Sequence, residues 1–331
     1  MSTLLSVLDL SPVRVGETPA QAIRETVELA KAAERLGYQR FWLAEHHSSR
    51  SFASASPEIL IAAISQVTSR IRLGSGGVML VNHSPLKVAE QFMELEALAP
   101  GRIDLGVGRA LGADMRTGAA LRSAGSEAFP NYFALLNAWL LDAAGREAFP
   151  LDHPAQGIRA QPAGPSHPDM FLLCSSRESA AFAGMAGVGM VFAEFIARRD
   201  AAEAIAAYRA AFRPSIFRDK PWAGVGVGAL AADTAEEADR LETPRRAWGY
   251  AFSEGRAGPF LSVEAALADL QARDAGPPSA EERRFAFVGD GLTVRTALQA
   301  KAEAVGADEL FLITFAPTLE ARVRSLELTM G

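Results

Sequence analysis

Apolar residues in this chain fall into two alternating kinds of run. Short continuous runs, the first being Leu4-Leu5-Ser6-Val7-Leu8-Asp9-Leu10, give way to longer stretches in which apolar side chains recur every three or four positions. The first kind fits a strand buried on both faces, the second an amphipathic helix. Thr18-Pro19 opens such a helix, with Ile23, Val27, Ala30 and Ala33 at helical spacing. Thr18 can cap it, Pro19 suits its first position, Gln21 completes a capping box and Gly37 stops it. A second strand starts at Phe41. Ser56-Pro57-Glu58 opens the next helix, through Ile59, Ile64 and Val67, and Arg70-Ile71-Arg72-Leu73-Gly74 begins a third strand. Ser84-Pro85 opens a third helix through Val88, Phe92, Leu95 and Leu98; Pro100-Gly101 ends it, and Ile103-Asp104-Leu105-Gly106-Val107 is a fourth strand. Strand starts near positions 4, 40, 71 and 102 recur about every 31–36 residues, the mark of repeated strand–helix units.

After Ala110 the period breaks. Residues 111–168 hold weakly patterned segments, one apolar helix candidate from Tyr132 to Leu141, and the Gly- and Pro-rich Pro162-Ala163-Gly164-Pro165. They are expected to form an insertion lying over the strand ends. Met170 to Cys174 resumes as strand five, Gly189 to Ala193 is strand six, and a helix from Asp200 to Phe212 leads to strand seven at Ala223–Leu230. Thr234-Ala235-Glu236-Glu237 reads as a capping box, and residues 243–286 as a second insertion rich in charge, Gly and Pro. A helix from Leu292 to Val305 precedes strand eight at Glu309–Thr314. Eight strands alternating with helices predict an α/β fold: a single (β/α)8 TIM barrel over residues 1–331, with insertions after strand four and before strand eight. An open doubly wound sheet fits less well, because no Gly-rich dinucleotide turn follows the first strand.

Composition narrows the partners. With 331 residues, 49% apolar and 22% charged, the chain can bury a large core. A net charge of −6 argues against a nucleic-acid partner. No apolar stretch is long and charge-free enough to span a bilayer. Met1-Ser2-Thr3-Leu4 has no basic region, so a signal peptide is not expected. Cys174 is the lone cysteine, which rules out an intrachain disulfide and a Cys-rich metal site. A cytoplasmic protein is the expectation.

Candidate chemistry gathers at strand ends, where barrel enzymes carry it. The run Phe41-Trp42-Leu43-Ala44 closes on Glu45-His46-His47. Neighbouring strand side chains alternate in direction, so these three cannot all chelate one ion, and no metal is expected. One of the histidines can instead transfer a proton. Leu73-Gly74-Ser75-Gly76-Gly77 offers either close backbone approach by a ligand or a simple bulge. Gly108-Arg109 sets a guanidinium at the tip of strand four, suited to a phosphate or carboxylate, or to a surface acid. Cys174-Ser175-Ser176-Arg177-Glu178-Ser179 places hydroxyls and free N–H groups at a helix start after strand five. That turn suits an anion as well as ordinary capping.

Taken together, Phe41–His47, Arg70–Met79, Pro85–Gln91 and Pro100–Arg109 resemble the bacterial luciferase-like flavin-dependent monooxygenases. The pattern continues through Ser175–Ser179 and Val288-Gly289-Asp290 to Gly306–Leu310, and is thin in both insertions. The resemblance implies a barrel that binds FMN, usually as a homodimer. It makes His46 the active-site histidine with Glu45 beside it, and sets Gly76-Gly77 at a non-proline cis peptide under the flavin. It puts Gly108-Arg109 at the flavin phosphate, with the turn from Cys174 and Ser175 through Ser176, Arg177, Glu178 and Ser179 as the phosphate-binding turn. The chain also departs from the pattern. Gly108 stands where true luciferases carry a reactive cysteine, and Leu111 and Ala113 stand where close relatives tend to have Pro and Thr.

The implied activity is oxidation of a small organic substrate by O2 with reduced FMN as cosubstrate, supplied by a separate flavin reductase. The flavin carries the hard chemistry and the protein positions it. A deazaflavin-dependent hydride-transfer enzyme and a non-catalytic flavin-binding protein are the alternatives. Substrate preference is expected to lie in the two insertions.

Overall fold

A computed structural model describes residues 3–146 and 149–331. Among these residues nine parallel strands form the sheet: β1 (Leu4–Asp9), β2 (Arg40–Leu43), β3 (Arg72–Met79), β4 (Ile103–Gly108), β5 (Asp169–Cys174), β6 (Gly189–Ala193), β7 (Ala223–Ala232), β8 (Ala286–Asp290) and β9 (Glu309–Ile313). Strands β1 to β7 pair in sequence order; β9 pairs with both β7 and β1 and closes an eight-stranded barrel. The expected eighth strand is therefore ninth in the chain. Strand β8 is an addition to the expected set. It pairs with Gly228–Ala232 at the end of β7, beyond Gly224–Gly228, where β9 pairs.

Helices α1 (Pro19–Leu36), α2 (Pro57–Ser65) and α3 (Pro85–Leu98) cover the first three units. The capping box at α1 forms as expected, with Gln21 N–H donating to Thr18 Oγ1 (3.3 Å) and Thr18 N–H to Gln21 Oε1 (2.7 Å). Gly37 ends that helix at φ 89°, in the left-handed region glycine tolerates. Ser56 and Ser84 make no capping bond, so proline at the first position carries the signal at α2 and α3. The first insertion contains α4 (Met115–Ala120) and α5 (Phe129–Ala143), the second of which spans the apolar helix candidate at Tyr132–Leu141. Next come α6 (Arg177–Ala186), α7 (Glu194–Ala197) and α8 (Ala202–Ala211).

The second insertion differs from expectation. Helix α9 (Ala235–Ser253) runs straight through position 243 and carries Pro244 in its interior. Proline removes one backbone donor there, and the freed Arg240 carbonyl accepts from Thr243 Oγ1 instead (2.7 Å). Thr234 caps the helix through Glu237 N–H (3.1 Å), which is half of the expected box. Helices α10 (Val263–Ala272), α11 (Ala280–Arg284), α12 (Gly291–Val305) and α13 (Leu319–Met330) complete the chain. Among the described residues no helix is long and apolar enough to cross a membrane.

Trp42 fills the barrel interior. Its ring centroid lies 5.0 Å from that of Phe171 and 4.4 Å from that of Phe311, and its Nε1 donates to Asp104 (2.9 Å). Toward the N-terminal ends of the strands, Arg40 pairs with Asp104 (2.8 Å) and Glu309 (3.2 Å) and lies over the rings of Phe171 and Trp222. Burial pushes the Glu309 carboxyl up, against the pull of Arg40. This arrangement explains the glycines of β3. A Cβ at Gly74 would sit 2.6 Å from Trp42 Nε1 and 2.8 Å from Asp104 O; at Gly76 it would sit 2.6 Å from Leu8 Cδ1. The register shifts between Gly76 and Val78, so the bulge reading holds too. The Gly76–Gly77 peptide is cis.

Replacing Gly74 by Ala should destabilise the protein by about 1–3 kcal/mol, because backbone and ring both block the methyl. Gly249→Ala on α9, where nothing lies within 4 Å of the new Cβ, should be neutral or stabilise by about 0.5–1 kcal/mol. Urea unfolding midpoints of the two variants test the contrast.

Candidate active site

At the tip of β2 the side chains keep alternating. Glu45 and His47 turn one way and bond each other, while His46 turns the other way and packs on Phe52, with 4.8 Å between ring centroids. Glu45 is 2% exposed. Its Oε1 accepts from His47 Nε2 (2.7 Å) and His83 Nε2 (2.8 Å), and its Oε2 from Met79 N–H (2.9 Å). Both imidazoles thus present Nε2–H to one carboxylate. Burial works against the charge on Glu45, but the bonds from His83, His47 and Met79 outweigh it and hold the carboxyl below its usual range. The bond to Glu45 raises His83 in turn, against burial.

Glu45, His47 and His83 offer ligand-type atoms within 4.8 Å of one another, the raw material of a two-His, one-carboxylate metal set. Here the two ring nitrogens converge on a single oxygen at hydrogen-bond distance. As hydrogen bonds, these contacts clamp the tips of β2 and β3 together.

His46 has a different environment. Burial is the main cause that pushes its imidazole down to about 4; the charge of Glu45 opposes this and that of His47 adds to it. The ring is therefore neutral in neutral water. Its Nδ1 is buried and has no hydrogen-bond partner among the described residues. The backbone is fixed by His46 N–H to Ser54 O (2.9 Å) and His47 N–H to Gly112 O (3.0 Å). Asn82 Nδ2 also donates to Leu111 O (2.9 Å), so the start of the first insertion is tied to β2 and β3 together. Gly112 has φ 62°, and a Cβ there would lie 2.9 Å from Glu45 O. No side chain fits. At Gly108 a Cβ would meet Met79 Cε at 2.9 Å.

A cleft of about 270 Å³ opens between the ends of β4 and β5 and the first insertion. Arg109, Ser126, Glu127, Glu178 and Ser179 give it a polar side; Leu173, Phe129 and Phe182 give it an apolar one. Arg109 is exposed and makes no ion pair among the described residues. Ser176 and Ser179 form a capping box, with Ser179 N–H donating to Ser176 Oγ (3.2 Å). The N–H groups of Arg177 and Glu178, in the first turn of α6, bond no other residue among those described. Ser175 and Arg177 lie exposed beside them.

The structure thus brings Arg109, Glu178 and Ser179 to one cleft at the ends of β4 and β5, and Glu45 and His46 to the tip of β2, with β3 between them. It corrects the expectation for the Cys174 side chain. That thiol is 2% exposed, lies within the main hydrophobic core, and is pushed up to about 12 by burial. Only its backbone borders the turn. His83, Asn82 and Gly112 join the site without having been expected there. Asn82-His83 directly after an apolar strand was the available signal, the same one that marks Glu45-His46-His47.

The fold is thus a closed α/β barrel with a buried histidine–carboxylate cluster at one strand tip and a cleft beside the first insertion. The chain belongs to the luciferase-like monooxygenase family, whose model matches residues 4–309. It is 36% identical to a luciferase-like monooxygenase of Escherichia coli over 98% of this chain and 95% of that one. It is 39% identical to the N-acetyl-S-alkylcysteine monooxygenase of Bacillus subtilis over 81% of this chain and 79% of that one. The crystal structure of apo-MsnO8 superposes with a TM-score of 0.90 at 36% identity, covering 99% and 97% of the two chains. More distant structures share the fold. They include the oxygenating constituent of 3,6-diketocamphane monooxygenase in complex with FMN (TM-score 0.70, 19% identity, covering 100% and 98%). An F420-dependent secondary alcohol dehydrogenase is another (TM-score 0.69, 14% identity, covering 99% and 98%).

The raised His83 stabilises the fold fully below the ordinary imidazole range, and that contribution is lost as pH rises through its folded value. NMR titration of His83 should show it above the ordinary pKa of about 6.5 in the unaltered protein. In Glu45→Gln it should fall, because only the charge of Glu58 then still opposes burial. An unchanged titration would mean that Glu45 is not the group that raises His83.

Proposed function

We propose that this chain is a flavin-dependent monooxygenase that takes reduced FMN from a separate reductase and uses O2 to oxidise a small organic molecule. We further propose that it acts in the cytoplasm, as its composition suggests, and as a homodimer, as the family resemblance implies. The observation that carries the reading is the cleft. The Arg109 guanidinium and the start of α6 at Glu178 and Ser179 face Leu173, Phe129 and Phe182 across it, and that pairing suits a ligand with an anionic tail and a flat apolar ring.

Arg109, with the turn Ser175–Ser179, would hold the flavin phosphate. Glu127 and Glu178 are exposed on the same cleft, so an anion is favoured only close to Arg109 and the α6 N–H groups. Gly76-Gly77 and Leu173 would face the ring system. When bound, reduced FMN supplies the reaction with O2. The chain's own residues position the ligands, exclude water and move protons. His46 is neutral at neutral pH and carries an unpaired Nδ1, so it enters as an acceptor that takes up a proton and returns it. Glu45 acts through others, because its oxygens are already bonded to His47, His83 and Met79. It is a positioning residue.

The likeness to a deazaflavin enzyme supports a second reading, hydride transfer without O2 in the same cleft. A purely storage role is less well supported, since the histidine–carboxylate tip is complete.

His46→Ala should retain FMN binding and lose oxygenation by about 10²–10⁴-fold. Turnover equal to the unaltered protein would remove His46 from the mechanism. Arg109→Ala should instead weaken FMN binding by about tenfold or more, the loss of a charge-assisted hydrogen bond of about 1.5–3 kcal/mol. An unaltered dissociation constant would count against the phosphate role.

A further inference from the structure

The cleft between the ends of β4 and β5 and the first insertion is charged by one cation and two carboxylates. Arg109 follows β4, Glu127 lies in the short turn Ser126–Ala128 ahead of α5, and Glu178 lies in the first turn of α6. All three residues are exposed, and among the described residues none of them enters an ion pair. Each acid has local support instead. Glu127 accepts from Ser126 Oγ (3.1 Å). Glu178 is held below the usual carboxylate range by its own N–H first, then by the Ser176 side chain and the charges of Arg177 and Arg199.

The rest of the lining is Leu172, Leu173, Phe129, Pro130, Phe182 and the serines, which carry no charge. Arg109, Glu127 and Glu178 therefore set the charge balance of the cleft. An anion drawn to Arg109 is repelled by both acids at the same time. A phosphate monoester carries a charge of about −1.5 to −2 at pH 7. Across a cleft of about 270 Å³ open to water, one carboxylate changes the affinity for such a group by about two- to fivefold at low salt, and by less once salt screens the charges. An uncharged tail is indifferent to the acids.

We propose that Glu127 and Glu178 are specificity-determining residues that offset Arg109, so that the cleft holds a phosphate-bearing flavin loosely enough to exchange it in every turnover. The proposal rests on the flavin-monooxygenase reading, in which reduced FMN arrives from a separate reductase and leaves again oxidised. A cleft charged by Arg109 alone would bind the phosphate more tightly, chiefly by releasing it more slowly.

Fluorescence titration with FMN and with riboflavin, which differ only in the phosphate, tests this in the unaltered protein, Glu127→Gln and Glu178→Gln. We expect each variant to bind FMN about two- to fivefold more tightly at low salt and riboflavin as before. The gain should vanish in about 1 M NaCl, where the screening length falls to about 3 Å. Unchanged or weaker FMN binding, or a gain that riboflavin shares, would overturn the proposal. Where the variants disagree, Glu127→Gln decides, because Glu178 also stabilises the first turn of α6. Binding of neither flavin by any of the three proteins would strike at the flavin reading. Inorganic phosphate is then the probe: it must shift the Ser179 amide NMR signal at about two- to fivefold lower concentration in Glu127→Gln, or the charge balance falls as well.

Discussion

A carboxylate that is 2% exposed must be paired, or its charge is lost to protonation. Glu45 meets that demand with three donors from three places: the next turn of its own segment, the backbone at the end of β3, and the loop beyond it. The need to satisfy one buried charge thereby fixes how two adjacent strand tips lie against each other. His46 sits between two of the clamped positions. Its ring has nowhere to go but toward Phe52, away from water, and this desolvation is what keeps it neutral. Gly112 completes the arrangement, since only a residue without a side chain can pass beside the Glu45 carbonyl.

The opposite end of the barrel shows the same logic with different groups. Arg40, Asp104 and Glu309 form a buried ion cluster, and Trp42 links it to the apolar interior by donating to Asp104. The glycines of β3 let that indole lie against the strand wall. One run, Arg40 to His47, thus supplies the closed end, the filling and the reactive tip of the barrel. That separation leaves the mouth free for loops, and both insertions are placed there. The first brings the cleft wall; the second brings Trp248, Phe252 and Phe260.

Much of this was legible in local pattern. Proline after Ser or Thr marked three helix starts, and in two of them the proline alone carried the signal, because Ser56 and Ser84 do not cap. The alternation of strand side chains separates His46 from Glu45 and His47 on sequence grounds alone. What was not legible depends on distant partners. Nothing near His83 names Glu45, although the pair shapes the site. Helix α9 runs past 243, where the second insertion was expected to begin, because the carbonyl that Pro244 leaves free is taken up by the Thr243 side chain. Strand β8 ends in Gly289-Asp290 and begins at the last residue of the expected second insertion, and its partner is the part of β7 that runs past β9. Cys174 ends β5 just before the Ser175–Ser179 turn, and strand alternation sends its thiol into the core.

The most direct test of the central claim is anaerobic fluorescence titration of the purified protein with reduced FMN, oxidised FMN and the deazaflavin F420. The account predicts that reduced FMN binds most tightly of the three. Preference for the deazaflavin, or binding of none of them, would contradict it.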